Sequence, residues 1–193
     1  NLRDDESVAL AFRQAQSISR SVIVETFIEG HDHRMLVIDG ELVAVAKRVP
    51  GHVVGDGVRS IEDLVAAVNA DPRRGIGHEK VLTRIEFDSQ ADRLLAQLNY
   101  TRQTVPAAGE AVYLRSTGNL STGGTSVDVT DSVHPDNREM AVRAVEAIGL
   151  DVGGVDFLTP DITQSYREHG GGAICEVNAA PGFRMHMAPS EGK

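Results

Sequence analysis

Two short segments near the C-terminal end carry the sharpest chemical signal. In the run ICEVN, Glu176 and Asn178 stand two apart. Side chains alternate along a strand, so both face one side, with Cys175 and Val177 on the other. In GGVDFL, Asp156 alternates with Val155 and Phe157 and shares its face with Gly154. If the two strands pair, two carboxylates and an amide oxygen converge on one patch. Hard oxygen donors of that kind suit Mg²⁺, which takes one or two protein carboxylates and completes its shell with phosphate oxygens and water. The same pattern also suits the solvated face of a half-buried hairpin.

Other residues admit chemistry of their own. In VETFIEGHD, Phe27 and Ile28 could wall a flat aromatic base, with Asp32 accepting hydrogen bonds from hydroxyls, although an edge strand flanked by acids reads the same way. The Gly-rich run NLSTGGT, from Asn119 to Thr125, offers backbone N–H groups that could cradle an oxyanion, with Arg115 adding positive charge. It lacks the Gly-Lys-Ser/Thr of a phosphate-binding P-loop. After the last strand, Arg184 could hold an anion through a bidentate contact, and His186 lies beside it. His31 and His33 lack the further ligands that zinc needs, and the single Cys175 reads as a core residue.

Elements that would position these groups follow from periodicity. Val8, Ala11, Phe12, Ala15 and Ile18 recur at helical spacing behind a cap at Asp4 or Asp5. The β-branched run from Ser21 to Ile28 predicts a mostly buried strand. Arg34–Ile38 and Glu41–Val49 predict a hairpin turned at Asp39-Gly40. Ser60 and Asp63 form a capping box ahead of a helix from Ile61 to about Asn69. Residues 71–85 are basic and irregular. A helix follows over Ala91–Asn99, then a strand at Ala111–Ser116. Another helix starts at Pro135 and stops at Gly149, ahead of the last two strands, Val152–Leu158 and Ala173–Asn178. Hairpins adjoining helices, without βαβ alternation, predict an α+β fold with a mostly antiparallel sheet.

Composition limits the function classes. Among the 193 residues, 28 are Asp or Glu and 19 are Lys or Arg, a net charge of −9 that argues against nucleic acid as a partner. No apolar stretch is long enough for a membrane helix. One cysteine is consistent with a reducing, cytoplasmic setting. The chain opens on Asn-Leu-Arg with neither Met nor a signal pattern, so it is expected to be a piece of a longer protein.

Taken together, VIVETFIEGHDHR, the Arg-then-NLSTGG loop, GVDF and EVNAAPGF resemble the carboxylate–amine ligases of the ATP-grasp superfamily. The longer stretches RVPGHVVGDGVRSIEDL, DPRRGIGHEKVLTRI, VYLRSTGNLSTGGTSVDVTD, SVHPDN and EVNAAPGFRMHMAPSEGK narrow the resemblance to the ATP-grasp region of the cyanophycin synthetase family. It runs from about Val22 to the end. The glutathione synthetase half of bifunctional glutamate–cysteine ligases shares RVP…VVGDG and STGG and is the nearest rival. A non-catalytic nucleotide- or polymer-binding module is the third reading.

The resemblance implies an ATP-grasp fold in part, with residues 1–28 a remnant of the lid lobe ending at an adenine hinge. Residues 29–193 would form the core lobe, carrying an irregular basic and helical insertion near 71–110. It implies ATP and Mg²⁺ as cofactors, with Asp156, Glu176 and Asn178 as metal ligands. Glu25, Thr26, Phe27 and Ile28 would contact adenine, and Asp32 the ribose. Arg48, Arg115, Asn119, Ser121, Gly123 and Gly124 would handle the γ-phosphate and the activated carboxylate. Arg184, His186, His78 and Lys80 are candidates for substrate contact. The implied substrates are a polymer primer and L-Asp, with Arg attached by a separate domain, and the implied parent enzyme is a homo-oligomer. The lysines and flexible glycine loop expected upstream of the hinge are absent from this stretch, so the segment alone is expected to be inactive.

Overall fold

The computed structural model describes residue 2 and residues 4–77, 79–169 and 172–192. Helix α1 (Asp5–Ile18) is capped by Asp4, whose carboxylate accepts from the Ser7 N–H at 2.8 Å. The strands β1 (His31–Ile38) and β2 (Glu41–Val49) form the expected hairpin. Its turn takes φ +50° at Asp39 and +74° at Gly40, the left-handed pair that Asp-Gly supplies at little steric cost.

Five strands make the main sheet. β7 (Thr125–Asp128), β2, β1, β8 (Val152–Thr159) and β9 (Ala173–Asn178) lie in that order, every pairing antiparallel. The period of two divides the sheet by chemistry. Met35, Val37, Val45, Val155 and Phe157 point one way and pack with Ala141 and Val145 of α4 (Pro135–Glu146) into a buried core. Asp32, Arg34, Arg48, Asp156, Glu176 and Asn178 belong to the other face.

A second core lies between α2 (Ile61–Asn69), α3 (Ser89–Gln97) and the ribbon of β3 (His52–Val54) with β6 (Ala111–Tyr113). Ile61, Leu64, Val65, Ala91, Leu95 and Leu114 are buried there. Two-residue strands β4 (Arg74–Gly75) and β5 (Leu82–Thr83) pair in parallel within the basic stretch. Short helices α5 (Tyr166–His169) and α6 (Arg184–Met187) complete the chain. The α+β class and antiparallel sheet expected from the sequence are those of the structure.

Two expectations need correction. Ser21–Ile28 forms no strand, and Ile23 and Val24 are 81% and 77% exposed. Strand propensity expresses packing against neighbours, and no described strand pairs with this segment. Cys175 is exposed, not buried in the core. The β8–β9 register slips beside it: Asp156 faces Glu176 while Phe157 faces Ile174, so Cys175 occupies a bulge outside strict alternation.

Candidate functional site

The polar face of the sheet floors a cavity of about 710 Å³. Phe27, Ile28 and Leu158 line one apolar part, Leu94 and Tyr113 line it from the second core, and Asp32, Arg48, Arg115, Asp156 and Glu176 supply charge. Seven residues singled out from the sequence therefore meet in one space: Phe27, Ile28, Asp32, Arg48, Arg115, Asp156 and Glu176.

Register explains the convergence. Asp32 pairs with Arg48 across β1–β2, Arg34 with Asp156 across β1–β8, and Asp156 with Glu176 across β8–β9. The Arg48 Nη2 donates to Asp32 at 2.6 Å and to Asp156 at 2.8 Å. Arg34 grips the same Asp156 carboxylate from the other side through Nε and Nη2, the latter at 3.1 Å. Asp156 is only 6% exposed, so these contacts act with little screening by water. Burial disfavours the Arg48 cation, but Asp32 and Asp156 outweigh it and raise its pKa. The side chain of Asn178 donates to Glu176 at 3.1 Å and to the Gly154 carbonyl at 3.3 Å.

Arg34 is the functional candidate that the sequence reading missed. Its signal was available: it follows Asp32 by two on a strand where the residues on either side of it, His33 and Met35, are buried. Gly154 makes room for it, since a Cβ there would lie 2.6 Å from Pro181 Cβ and 3.1 Å from Arg34 Cδ. Nearby, the His186 Nε2 is buried without a partner among the described residues, and burial, assisted by the Arg34 charge, lowers its pKa to about 4.

Other predicted residues are placed elsewhere. Glu25 and Thr26 line a groove with α1, apart from the main cavity. Arg115 borders the cavity, but its guanidinium donates to the carbonyls of Leu114 and Glu86 and to Asp88. The glycine loop is not an open N–H cradle. The N–H groups of Thr122 and Gly124 bond to the Asn119 carbonyl, and that of Gly123 to the Leu120 carbonyl, closing a tight helical turn. Asn119 and Ser121 are exposed, while Gly123 and Gly124 are buried. Arg184 donates to the Lys80 carbonyl at 3.3 Å, tying α6 to the basic stretch. His78 lies outside the described residues.

Among the described residues, no three His, Cys, Asp or Glu side chains are placed to hold a metal by themselves. Asp156 and Glu176 are directly opposed with Asn178 beside them, and their oxygens are of the hard type that Mg²⁺ accepts when phosphate oxygens complete its shell, with Asp156 also held by Arg34 and Arg48. The donor set fits that ion. No helix among the described residues is long and apolar enough to cross a membrane.

No family model matches the chain. Over 192 residues, the whole of the chain, it is 53% identical to cyanophycin synthetase of Trichormus variabilis, of which it covers 21%. The bifunctional glutathione biosynthesis protein GshAB of Listeria monocytogenes is 38% identical over 188 residues, 97% of the chain and 24% of that protein. The crystal structure of a bifunctional glutathione synthetase from Pasteurella multocida superposes with a TM-score of 0.75 at 36% identity, over 86% of this chain and 22% of the other. The chain thus spans about a fifth of the length of the synthetases it matches.

Proposed function

We propose that this chain, which over its whole length is similar to a segment of the cyanophycin synthetases, supplies the nucleotide and metal platform of an ATP-dependent carboxylate–amine ligase. One observation carries the reading: an apolar pocket end at Phe27 and Ile28 opens into the same cavity as the Asp32, Arg48, Asp156 and Glu176 array. Phe27, Ile28 and Leu158 would flank the base, and Asp32 would accept from ribose hydroxyls. Asp156, Glu176 and Asn178 would hold Mg²⁺, whose charge, when bound, offsets that of the transferring phosphoryl group. Arg48 would exchange its bond to Asp156 for one to a phosphate oxygen, keeping a charge-assisted bond in either position.

In this reading the C-terminal carboxylate of a growing polymer attacks the γ-phosphorus of ATP and ADP departs. The amine of L-Asp then attacks the acyl carbon of the acyl phosphate, releasing phosphate and forming the amide. Bringing a carboxylate to a triphosphate concentrates negative charge, and the arginines on the sheet face lower that barrier. Arg184, which donates to the Lys80 carbonyl of the basic stretch, and His186, which feels the Arg34 charge, would meet the acceptor.

Binding of Mg²⁺-ATP by calorimetry tests the platform. The chain should bind nucleotide in a metal-dependent way, and normal binding by both Asp156→Ala and Glu176→Ala would remove the metal assignment. In the longer synthetase, ADP release with primer plus L-Asp, set against γ-glutamylcysteine plus glycine, separates polymer synthesis from glutathione synthesis. The greater identity to cyanophycin synthetase favours the first pair.

A further inference from the structure

A second cavity, of about 460 Å³, lies beneath α2 and shares no lining residue with the first. Its walls include Val53, Leu64 and Val68, and Arg74 reaches it from β4. Arg74 is 6% exposed. Its Nη1 donates to the carbonyls of Thr83 and Gly123, the latter at 3.1 Å. A guanidinium has five N–H donors. The Nε–H and both Nη2 hydrogens of Arg74 meet no acceptor among the described residues, and no carboxylate there lies within ion-pair distance of it.

Its neighbours differ in this respect. Asp71, the nearest acid, is held by Arg73, and Arg59, also on the cavity wall, is paired with Asp56. Burial lowers the pKa of Arg74 by more than the nearby Asp71 carboxylate, itself held by Arg73, raises it. The Nε–Nη2 edge left without partners is the edge that receives a carboxylate through two parallel bonds. Thr125 and Ser190 add hydroxyls to the wall, and the exposed Glu191 is the one acid among its lining residues.

We propose that this cavity is a carboxylate subsite, distinct from the nucleotide cleft, that takes the acid group of an amino acid or peptide on Arg74 and its aliphatic stem against Val53, Leu64 and Val68. The apolar wall favours a carbon-borne carboxylate over an inorganic oxyanion. The assignment is independent of the ligase reading, because it needs neither nucleotide nor metal.

Titrating the isotope-labelled 193-residue chain with succinate, L-aspartate and inorganic phosphate, followed by amide NMR, tests it. Succinate and L-aspartate should shift resonances of residues 53–54, 64–68, 74–75 and 123–125, with phosphate weaker by at least about fivefold. Arg74→Lys should weaken succinate binding by about tenfold or more, because the ammonium keeps the charge and loses the fork. Should loss of the carbonyl bonds unfold that variant, Ala67→Phe fills the space from α2 while Arg74 is untouched, and it should abolish the same shifts. The proposal is overturned by shifts confined to the Asp32–Asp156 cleft, by phosphate binding as tightly as succinate, by unchanged affinity in folded Arg74→Lys, or by no saturable shift.

Discussion

Two guanidinium groups converge on Asp156, and removing its carboxylate would leave the buried Arg34 without its counter-charge, while Arg48 keeps Asp32. Breaking a buried pair in this way typically costs about 3–5 kcal/mol. Asp156→Ala should therefore lower the unfolding free energy in urea by about that much, while weakening Mg²⁺-ATP binding at least about tenfold. Glu176→Ala separates the two effects. Glu176 is exposed and has no arginine partner among the described residues, so the same binding loss should come with little change in stability. Acid acts through different residues. His33 is 1% exposed, its Nδ1 has no partner among the described residues, and burial lowers its pKa from 6.5 to about 4, as it does for His186. Between those values the unfolded chain binds protons that the native state refuses, so stability is full above pH 6.5 and falls as pH drops toward 4. Chemical denaturation across that range should show the decline, and His33→Gln should flatten it. A slope unchanged in that variant would assign the loss to other groups.

At the scale of elements, the polar clamps are as decisive as the apolar faces. Asn137 on α4 is fully buried, donates to the carbonyls of Ile162 and Gln164 and accepts from the Tyr166 N–H, so it anchors the β8–β9 connection to the helix. Asn137→Ala leaves the Gln164 carbonyl and the Tyr166 N–H without this partner, while the Ile162 carbonyl keeps the His134 N–H, and should cost about 1–3 kcal/mol, measurable as a lower urea midpoint with an unchanged slope. Elements whose signals are local were legible in the sequence. Asp39-Gly40 specified its own turn, Ser60 its own helix start, and the ICEVN and GVDF alternation placed Asp156 and Glu176 on one face. Signals that depend on a partner were not. Ser21–Ile28 has the composition of a strand and no strand beside it, while the register slip that turns Cys175 outward arises only when β8 and β9 meet. The basic stretch 71–85 lacked periodicity because its anchors are side chain to backbone, through Arg74 and through Asn69, which bonds both N–H and C=O of Ile85.

Across the whole molecule, stability is distributed unevenly between two cores and an N-terminal helix that reaches neither. β1 is hydrogen-bonded on both sides within the five-stranded sheet, and its inner face is among the most buried in the chain. Helix α1 has 14 residues, none of them buried, and Val8 and Phe12 remain partly open to solvent. Isolated helices shorter than roughly 12–15 residues are marginal in water, so a good cap at Asp4 cannot by itself hold α1 closed. Opening of α1 should therefore be nearly independent of global unfolding. Native-state hydrogen exchange should find α1 amides close to unprotected, while the central amides of β1 and β8 exchange only through global unfolding. Deleting residues 1–19 should shift the melting temperature by no more than about 2 °C, since it removes no core contact. Strong protection of α1, or a large drop in melting temperature on its removal, would show that Val8, Phe12 and the Phe27 segment form a cooperative unit with the sheet. The wall proposed to meet the base would then be fixed before nucleotide arrives. With α1 opening freely, Phe27, itself 58% exposed, would gain its order from the base that the proposed function seats against it, and nucleotide should increase protection at residues 22–30.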